Sequence, residues 1–325
     1  MAAVPKTQRA WIIQSRGPPS KALSLQSNWE VPTELKEGEV LVKVQAAALN
    51  PVGYKLMKML PNFAGTGRPL PAENDFSGVI VDGNGTHFSE GDQVFGYIST
   101  EISSVIRQGA LSEYVRIPSD HLVIRPSNVS PIQAAGITLV AQTAHAALFD
   151  VGKLEAGQTI LINGGSSSVG AYAIQIAKAK GAKVVATAST KNEEFVRKLG
   201  ADEFIDYTKA PLHKYLAANP PSPKFHVILD AVGLVDPSLY THSPAYLAPN
   251  GIFISTGPLP KDTSASELWK FIKTSYVMVM PRWLGGTSRT HKIVMLKHKK
   301  SRLDEIQRMV ADGRSNNVFS QGVMF

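Results

Sequence analysis

From about residue 128 the chain alternates between short, wholly apolar runs and stretches with helical spacing. Strands are predicted at 159–163, 183–188, 203–206, 225–230 and 251–256, and helices at 168–180, 191–199, 212–218 and 237–247. Strand, helix, strand at this spacing is the pattern of a parallel, doubly wound sheet. Val227-Ile-Leu-Asp230 and Ile252-Phe-Ile254 are apolar on both faces, as strands covered by helices require. Pro220-Pro221-Ser222-Pro223 is a connection. Up to about residue 125 the rhythm differs. Short alternating runs such as Val40-Leu-Val-Lys-Val44, Gly78-Val-Ile-Val81 and Leu111-Ser-Glu-Tyr-Val-Arg-Ile117 are separated by turn signals such as Asp82-Gly83-Asn84-Gly85. That pattern predicts a compact antiparallel β domain. A last helix is expected over roughly Ser301 to Asp312, before the tail Asn316 to Phe325. The fold class is α/β, with a mostly β domain over 1–127, a doubly wound parallel-sheet domain over 128–262 and a C-terminal segment over 263–325.

Composition narrows the chemistry. With 325 residues, 43% apolar and 18% charged, the chain can bury a large core and is not disordered. It contains no cysteine, which removes disulfides, Cys-ligated zinc and a thiol nucleophile together. The start, Met1-Ala-Ala-Val-Pro-Lys-Thr-Gln-Arg9, lacks the apolar stretch of a signal peptide. No run approaches the ~20 apolar residues that span a bilayer, and Tyr276-Val-Met-Val-Met-Pro-Arg-Trp283 is too short. A soluble, cytoplasmic protein with no membrane partner is expected. The whole net charge of +8 sits between Lys261 and Arg302, where ten Lys/Arg face Asp262 and Glu267. Without aromatic interleaving or a nucleic-acid motif, this reads first as a solvated face and second as a site for a phosphorylated or acidic carrier-bound substrate, not as a nucleic-acid surface.

The densest chemistry lies in Thr159-Ile-Leu-Ile-Asn-Gly-Gly-Ser-Ser-Ser-Val-Gly-Ala-Tyr-Ala-Ile-Gln-Ile-Ala-Lys178. A strand runs into Gly164-Gly165-Ser166-Ser167-Ser168-Val169-Gly170, and an amphipathic helix follows at once. That order puts bare backbone N–H groups and a helix N-terminus where a pyrophosphate can sit. Gly164 and Gly165 permit the tight turn, and Gly170 lets helix and strand approach closely. Ser167 and Ser168 stand where glycine is more usual, and their hydroxyls are expected to donate to phosphate oxygens. The turn lacks the Gly-Lys-Ser/Thr ending of a nucleotide P-loop and is not a Gly-x-Ser-x-Gly nucleophile elbow. A plain strand–turn–helix of small residues would look similar in isolation; the train of βα units that follows argues for a dinucleotide.

The next strand selects the cofactor. NAD sites usually place Asp or Glu about 20 residues after the turn, on the ribose hydroxyls. Here Lys183-Val-Val-Ala-Thr187 runs into Ala188-Ser189-Thr190-Lys191-Asn192, with no acid before Glu193. A carboxylate there would repel a 2′-phosphate, whereas two hydroxyls and an ammonium would hold it. NADP(H) is expected over NAD(H), Lys191 being otherwise a surface residue at a helix start.

Ala47-Ala-Leu-Asn-Pro-Val-Gly-Tyr-Lys55, Glu73-Asn-Asp-Phe-Ser-Gly-Val-Ile-Val81, Glu90-Gly-Asp-Gln-Val-Phe-Gly96 and Gly109-Ala-Leu-Ser-Glu-Tyr-Val115 precede the turn in that order. Gln142-Thr-Ala-His-Ala-Ala-Leu148, Leu199-Gly-Ala-Asp202, Ile205-Asp-Tyr207, Leu229-Asp-Ala-Val-Gly233 and Gly251-Ile-Phe-Ile-Ser-Thr-Gly257 complete the set. Over residues ~40 to ~260 the sequence resembles the zinc-independent branch of the medium-chain dehydrogenase/reductase superfamily, the quinone oxidoreductases and fungal trans-enoyl reductases. The resemblance implies a GroES-like mostly β domain, a Rossmann domain, a cleft between them, and a C-terminal segment returning toward the catalytic domain. It places Asn50 near the nicotinamide end and Thr143 near the cofactor. Ser166 to Val169 would hold the pyrophosphate, Ser189, Thr190, Lys191 and Asn192 the 2′-phosphate, and Tyr207 would lie by the adenosine end. Val232, Ile254 and Ser255 would line the nicotinamide side. Family habit suggests a homodimer.

Two departures stand out. The family often has Asp where this chain has Gly53, and the C-terminus looks short beyond Val318-Phe319. Zinc is not expected: the wider superfamily's catalytic zinc needs a Cys near residue 50, its His-Glu pair is replaced by Ala72-Glu73, and the Cys-rich structural lobe is missing. Without a metal, the best-suited chemistry is conjugate reduction of an enone, enoyl thioester or quinone by hydride from NADPH. The alternatives are a carbonyl or alcohol dehydrogenase of a biosynthetic pathway, and a protein that binds NADPH without turnover. Tyr54 is the nearby phenol that could donate a proton, although packing accounts for it better. Glu113 and His145 read as structural, His121 and His226 stand alone with no second ligand at metal spacing, and no catalytic residue is assigned. The loop from Lys55 to Leu70 would shape the substrate pocket.

Overall fold

The alternating segments of the first part become eight strands: β1 (Thr7–Ile13), β2 (Leu23–Glu30), β3 (Glu39–Ala48), β4 (Leu70–Pro71), β5 (Asp75–Asp82), β6 (Gln93–Tyr97), β7 (Tyr114–Pro118) and β8 (Leu122–Ile124). The computed structural model describes residues 3–59, 68–257 and 264–312. They form two units, Met1–Leu139 with Lys297–Phe325, and Val140–Leu296. In the first, β7-β3-β5-β6-β8 make a five-stranded sheet whose ladders are all antiparallel, and β2-β1-β4 make a second sheet. Val40, Val42, Phe76, Ile80, Val94 and Leu122 close its core. Each such side chain contributes roughly 1.5–3 kcal/mol on leaving water.

The second unit carries β9 (Thr159–Asn163), β10 (Lys183–Ala188), β11 (Glu203–Asp206), β12 (Phe225–Asp230), β13 (Leu247–Ser255) and β14 (Thr290–Ile293). They form one sheet, in the order β11-β10-β9-β12-β13-β14, and every ladder is parallel. The strands predicted at 159–163, 183–188, 203–206 and 225–230 take those bounds. The helix expected at 237–247 is instead two short pieces, Ser238–Thr241 and Ser243–Ala245, because Pro244 lacks the N–H that a continuous helix needs. Neither β14 nor the helix Ala265–Val279, capped by the Ser264 hydroxyl accepting from Glu267 N–H, is visible as a sequence pattern. Thr290-His-Lys-Ile293 is an edge strand paired only with β13, so it needs no apolar run.

The units part at 139/140 and 296/297, not at 127/128 and 262/263. The helix Pro131–Ala135 belongs to the β unit, where the Ser77 hydroxyl donates to the Pro131 carbonyl at 2.7 Å. The pairing of β14 keeps the segment before Leu296 with the parallel sheet. The predicted last helix, found at Lys300–Asp312, returns to the β unit: Asn128 Nδ2 donates to the Val310 carbonyl at 2.8 Å and Lys300 Nζ to the Leu122 carbonyl at 3.0 Å. The tail around Val318-Phe319 and most of the loop between Lys55 and Leu70 lie outside the described residues. Among the described residues no helix is long and apolar enough to cross a membrane.

A candidate dinucleotide turn and a buried carboxyl cluster

β9 is buried along its whole length and delivers the chain to Gly164, which sits at φ +81, where only glycine is unstrained. The helix Ser168–Ala179 begins four residues later. Ser167 is its N-cap: its hydroxyl donates to the Gly164 carbonyl at 2.7 Å and accepts from Gly170 N–H at 3.1 Å. The expected phosphate donor at Ser167 is therefore spent on folding the turn, a correction to the sequence reading. The first N–H groups of a helix have no intrahelical acceptor, so those of Ser168 and Val169 remain for an anion, in the positive end of the helix dipole. Gly170 is required by contact: a Cβ there would lie 2.1 Å from the Gly164 oxygen and 3.0 Å from the Gly165 Cα.

A chain of buried polar groups sets this turn from below. Gly164 N–H donates to Thr187 Oγ1 at 3.0 Å, Thr187 Oγ1 donates to Asn163 Oδ1 at 2.8 Å, and Asn163 Nδ2 donates to Asp230 Oδ1 at 3.0 Å. The Asp230 carboxylate then accepts Val232 N–H at 3.1 Å and Leu234 N–H at 2.7 Å. Burial pushes the Asp230 carboxyl up, against those donors. Three polar residues at or next to the ends of three apolar strands thus tie two turns at the C-terminal edge of the sheet, where doubly wound folds bind ligands. None of the three was picked out from sequence; the available signal was a polar residue at or next to the end of each run. Replacing Thr187 by Val strands two buried partners and is expected to cost about 2–3 kcal/mol, lowering the melting temperature by roughly 4–8 °C in calorimetry.

At the end of β10, Asn192 Nδ2 donates to Ser166 Oγ at 3.2 Å and to Ser189 Oγ at 3.3 Å, joining the turn to the next crossover. Lys191 is exposed. The Thr190 hydroxyl donates to Asp206, which β11 brings alongside through the Ala188–Asp206 pairing. Thr190 and Thr208 hold the Asp206 carboxyl well below the usual range, at about 2. Thr190 is thus occupied, and an ionised acid stands near the expected 2′-phosphate position, invisible to a search along β10 alone. Asp206 is half-buried and stays partly open to screening by solvent, and Lys209 lies beside it.

The β unit holds a second constellation. Asn50 N–H donates to Glu73 Oε2 at 3.0 Å, Asn50 Nδ2 donates to Asp75 Oδ2 at 3.0 Å, and Leu139 N–H donates to Asp75 Oδ1 at 3.0 Å. Asp75 is fully enclosed, and burial pushes its carboxyl up to about 8 against both hydrogen bonds, with the charge of Glu73 adding to the rise. Burial pushes Glu73 up to about 7.

Two family models match this chain: one described as alcohol dehydrogenase GroES-like domain over residues 36–127, and one described as zinc-binding dehydrogenase over residues 168–298. The chain is 32% identical over 333 residues to the trans-enoyl reductase pgmF of Aspergillus terreus, covering 98% of this chain and 90% of that protein. The chain belongs to the medium-chain dehydrogenase/reductase superfamily, quinone oxidoreductase-like. It is also 39% identical over 242 residues to the chloroplastic NADPH-dependent alkenal/one oxidoreductase of Arabidopsis thaliana, a match that spans 72% of this chain and 60% of that protein. Among solved structures, the quinone oxidoreductase from Coxiella burnetii is similar at 25% identity and a TM-score of 0.72, covering 94% of this chain and 88% of that one. These relatives are oxidoreductases by name, and the solved quinone oxidoreductase shares the fold seen here.

Within this superfamily fold the remaining expected residues fall as follows. Thr143 lies half-buried on the helix Thr138–His145, Tyr207 is half-exposed beside Asp206, and Val232 stands exposed over Gly164, whose Cβ position lies 2.4 Å from Val232 Cγ2. Ile254 is enclosed in the sheet and the Ser255 hydroxyl sits 3.3 Å from His291 Nε2, so neither side chain is free toward the surface. Glu113 is paired with Arg9, His226 Nδ1 accepts from Thr159 N–H, His145 packs edge-on against Phe149, and Lys58 lies over the Tyr54 ring. His121 does not stand alone: His298 stacks on it at 3.6 Å between centroids, and Asp120 lies 2.8 Å from His121 Nδ1 and 3.4 Å from His298 Nε2. Their ligand atoms fall within 4.8 Å of one another. The rings are only 13° from parallel, however, so their in-plane lone pairs do not converge on one ion. A catalytic zinc takes three protein ligands from Cys, His and carboxylates. The Asn50 cluster has neither Cys nor His, and both Asp75 oxygens already accept N–H groups, so its donor set does not fit that metal.

Proposed function

We propose that this protein is an NADPH-dependent, zinc-independent reductase that acts on an activated C=C bond (enone or enoyl thioester) or on a quinone, as a soluble enzyme of small molecules. The observation that carries the reading is the turn at Gly164–Gly170, where two unspent helix N–H groups sit in a frame held by Thr187, Asn163 and Asp230. The bound nicotinamide would supply the hydride. The chain's part is to hold and orient it. The Ser168 and Val169 N–H groups and the Ser166 hydroxyl would hold the pyrophosphate, Ser189 and Lys191 the 2′-phosphate, and Asn50, locked by Glu73 and Asp75, would serve the nicotinamide end. Reduction of a conjugated carbonyl builds negative charge on oxygen, which hydrogen-bond donors or water must stabilise. Named relatives that reduce alkenals, enones and enoyl groups support the substrate class.

The ammonium of Lys191 and the carboxylate of Asp206 act in opposite senses on a 2′-phosphate; Lys191 is exposed and Asp206 half-buried. Asp206 is engaged by three donors from Thr190 and Thr208, whereas the Lys191 head is directed by solvent alone among the described contacts. The ammonium is expected to win. Titration should show NADPH binding at least about tenfold tighter than NADH, and Lys191→Ala should remove about that factor for NADPH only. Equal affinities for the two cofactors would refute the assignment. Turnover with enones or a small quinone supports the reaction class, and oxidation of NADPH by aldehydes or ketones alone points to a carbonyl reductase.

A further inference from the structure

Glu73 adopts φ +64, the left-handed region that glycine enters freely and glutamate does not. Its carboxyl group folds over Gly53: a Cβ built at residue 53 would lie 2.4 Å from Oε1, 2.8 Å from Cδ and 2.9 Å from Oε2. The absent side chain at 53 is what leaves room for it. Oε2 accepts the N–H of Asn50, while Asp75 takes the Asn50 amide. A left-handed glutamate, a carboxyl withdrawn from water and a glycine inside the helix Pro51–Met59 each lower stability, and all three converge on one peptide. Outliers of this kind persist where the surroundings and the function hold them.

Resting on the reductase reading above, we propose that Glu73 is a positioning residue: its carboxyl group, seated over Gly53, sets the Asn50 peptide and so the amide that meets the nicotinamide end of the cofactor. Asp75 orients the Asn50 side chain, and Glu73 fixes the backbone that carries it. The two carboxyl groups hold one residue from two directions, which neither could do alone.

Three variants of the full chain test this. Glu73→Gly removes the carboxyl group and lets the backbone keep its left-handed turn without a Cβ. It is expected to melt no lower than the parent while NADPH affinity falls about tenfold. Glu73→Gln retains an acceptor for the Asn50 N–H and is expected to bring affinity back to within about threefold of the parent. Gly53→Asp alone sets a second carboxylate against the first and should destabilise the fold, whereas Gly53→Asp with Glu73→Gly refills the same space from the opposite side and should recover stability. A folded Glu73→Gly protein that binds NADPH as tightly as the parent overturns the proposal. So does one that melts lower, or one whose lost affinity Glu73→Gln fails to restore. A parent protein that binds neither pyridine nucleotide overturns the reductase reading itself.

Discussion

Gly170→Ala is expected to weaken the binding of pyridine nucleotides by about two orders of magnitude or more. In an ordinary helix this change would stabilise, since alanine exceeds glycine in helix propensity by about 1 kcal/mol. Here the new methyl would lie 2.1 Å from the Gly164 oxygen, 2.9 Å from its carbonyl carbon and 3.0 Å from Gly165 Cα, all backbone atoms. Backbone cannot swing aside as a side-chain tip can. The turn must shift, and with it go the Ser167–Gly164 cap and the Gly164–Thr187 bond that hold the N–H groups in place. Losing the aligned donors should weaken NADPH by about a hundredfold or more, equivalent to roughly 2.7 kcal/mol. Isothermal calorimetry on folded variant protein reads this directly. An affinity close to that of the parent would mean that the pyrophosphate does not sit on this turn.

The second large effect is a loss of stability toward mildly alkaline pH. An unfolded aspartate titrates near 3.9, whereas Asp75 in the fold titrates at about 8. Between those values the folded state keeps a proton that the unfolded state has released, so stability must fall as pH rises through the interval and level off above it. Glu73, at about 7, acts in the same sense. His291, lowered to about 4 by burial, acts oppositely but only below its ordinary value of 6.5, because above it neither state of that imidazole binds a proton. From about pH 6.5 to 8 the carboxyl groups therefore act unopposed by His291. Asp75 alone contributes on the order of 2 kcal/mol there, or several degrees of melting temperature. Asp75→Asn cannot ionise, and Asn50 can turn its amide to match, so the variant should lose most of this pH dependence and keep only the smaller part that Glu73 contributes below about pH 7. Melting temperatures that rise between pH 6.5 and 8.5, or an equal slope in Asp75→Asn, would show that Asp75 is ionised in the fold.

The parallel sheet was legible because its determinants are local. Thr159-Ile-Leu-Ile-Asn163 and Val227-Ile-Leu-Asp230 are short apolar runs between helical stretches, and nothing distant changes what they do. The glycines at 164 and 170 were legible for the same reason, since a tight turn into a helix is defined within a few residues. The edge strand β14 and the split near Pro244 escaped, because a weakly apolar segment becomes a strand only when a neighbour such as β13 offers it a ladder.

The residues that make the site specific met only in three dimensions. Thr187, Asn163 and Asp230 are polar residues at or next to the ends of separate strands until the parallel register lines them up. Asp206 reaches Thr190, and His298 reaches His121, across 16 and 177 residues of chain. Glu73 reads as one more acidic residue until the fold places its carboxyl group in the space that Gly53 leaves. Periodicity reports which face of an element is buried; it carries no information about which buried polar atom will meet which, and that pairing decides how the turn and Asn50 are held.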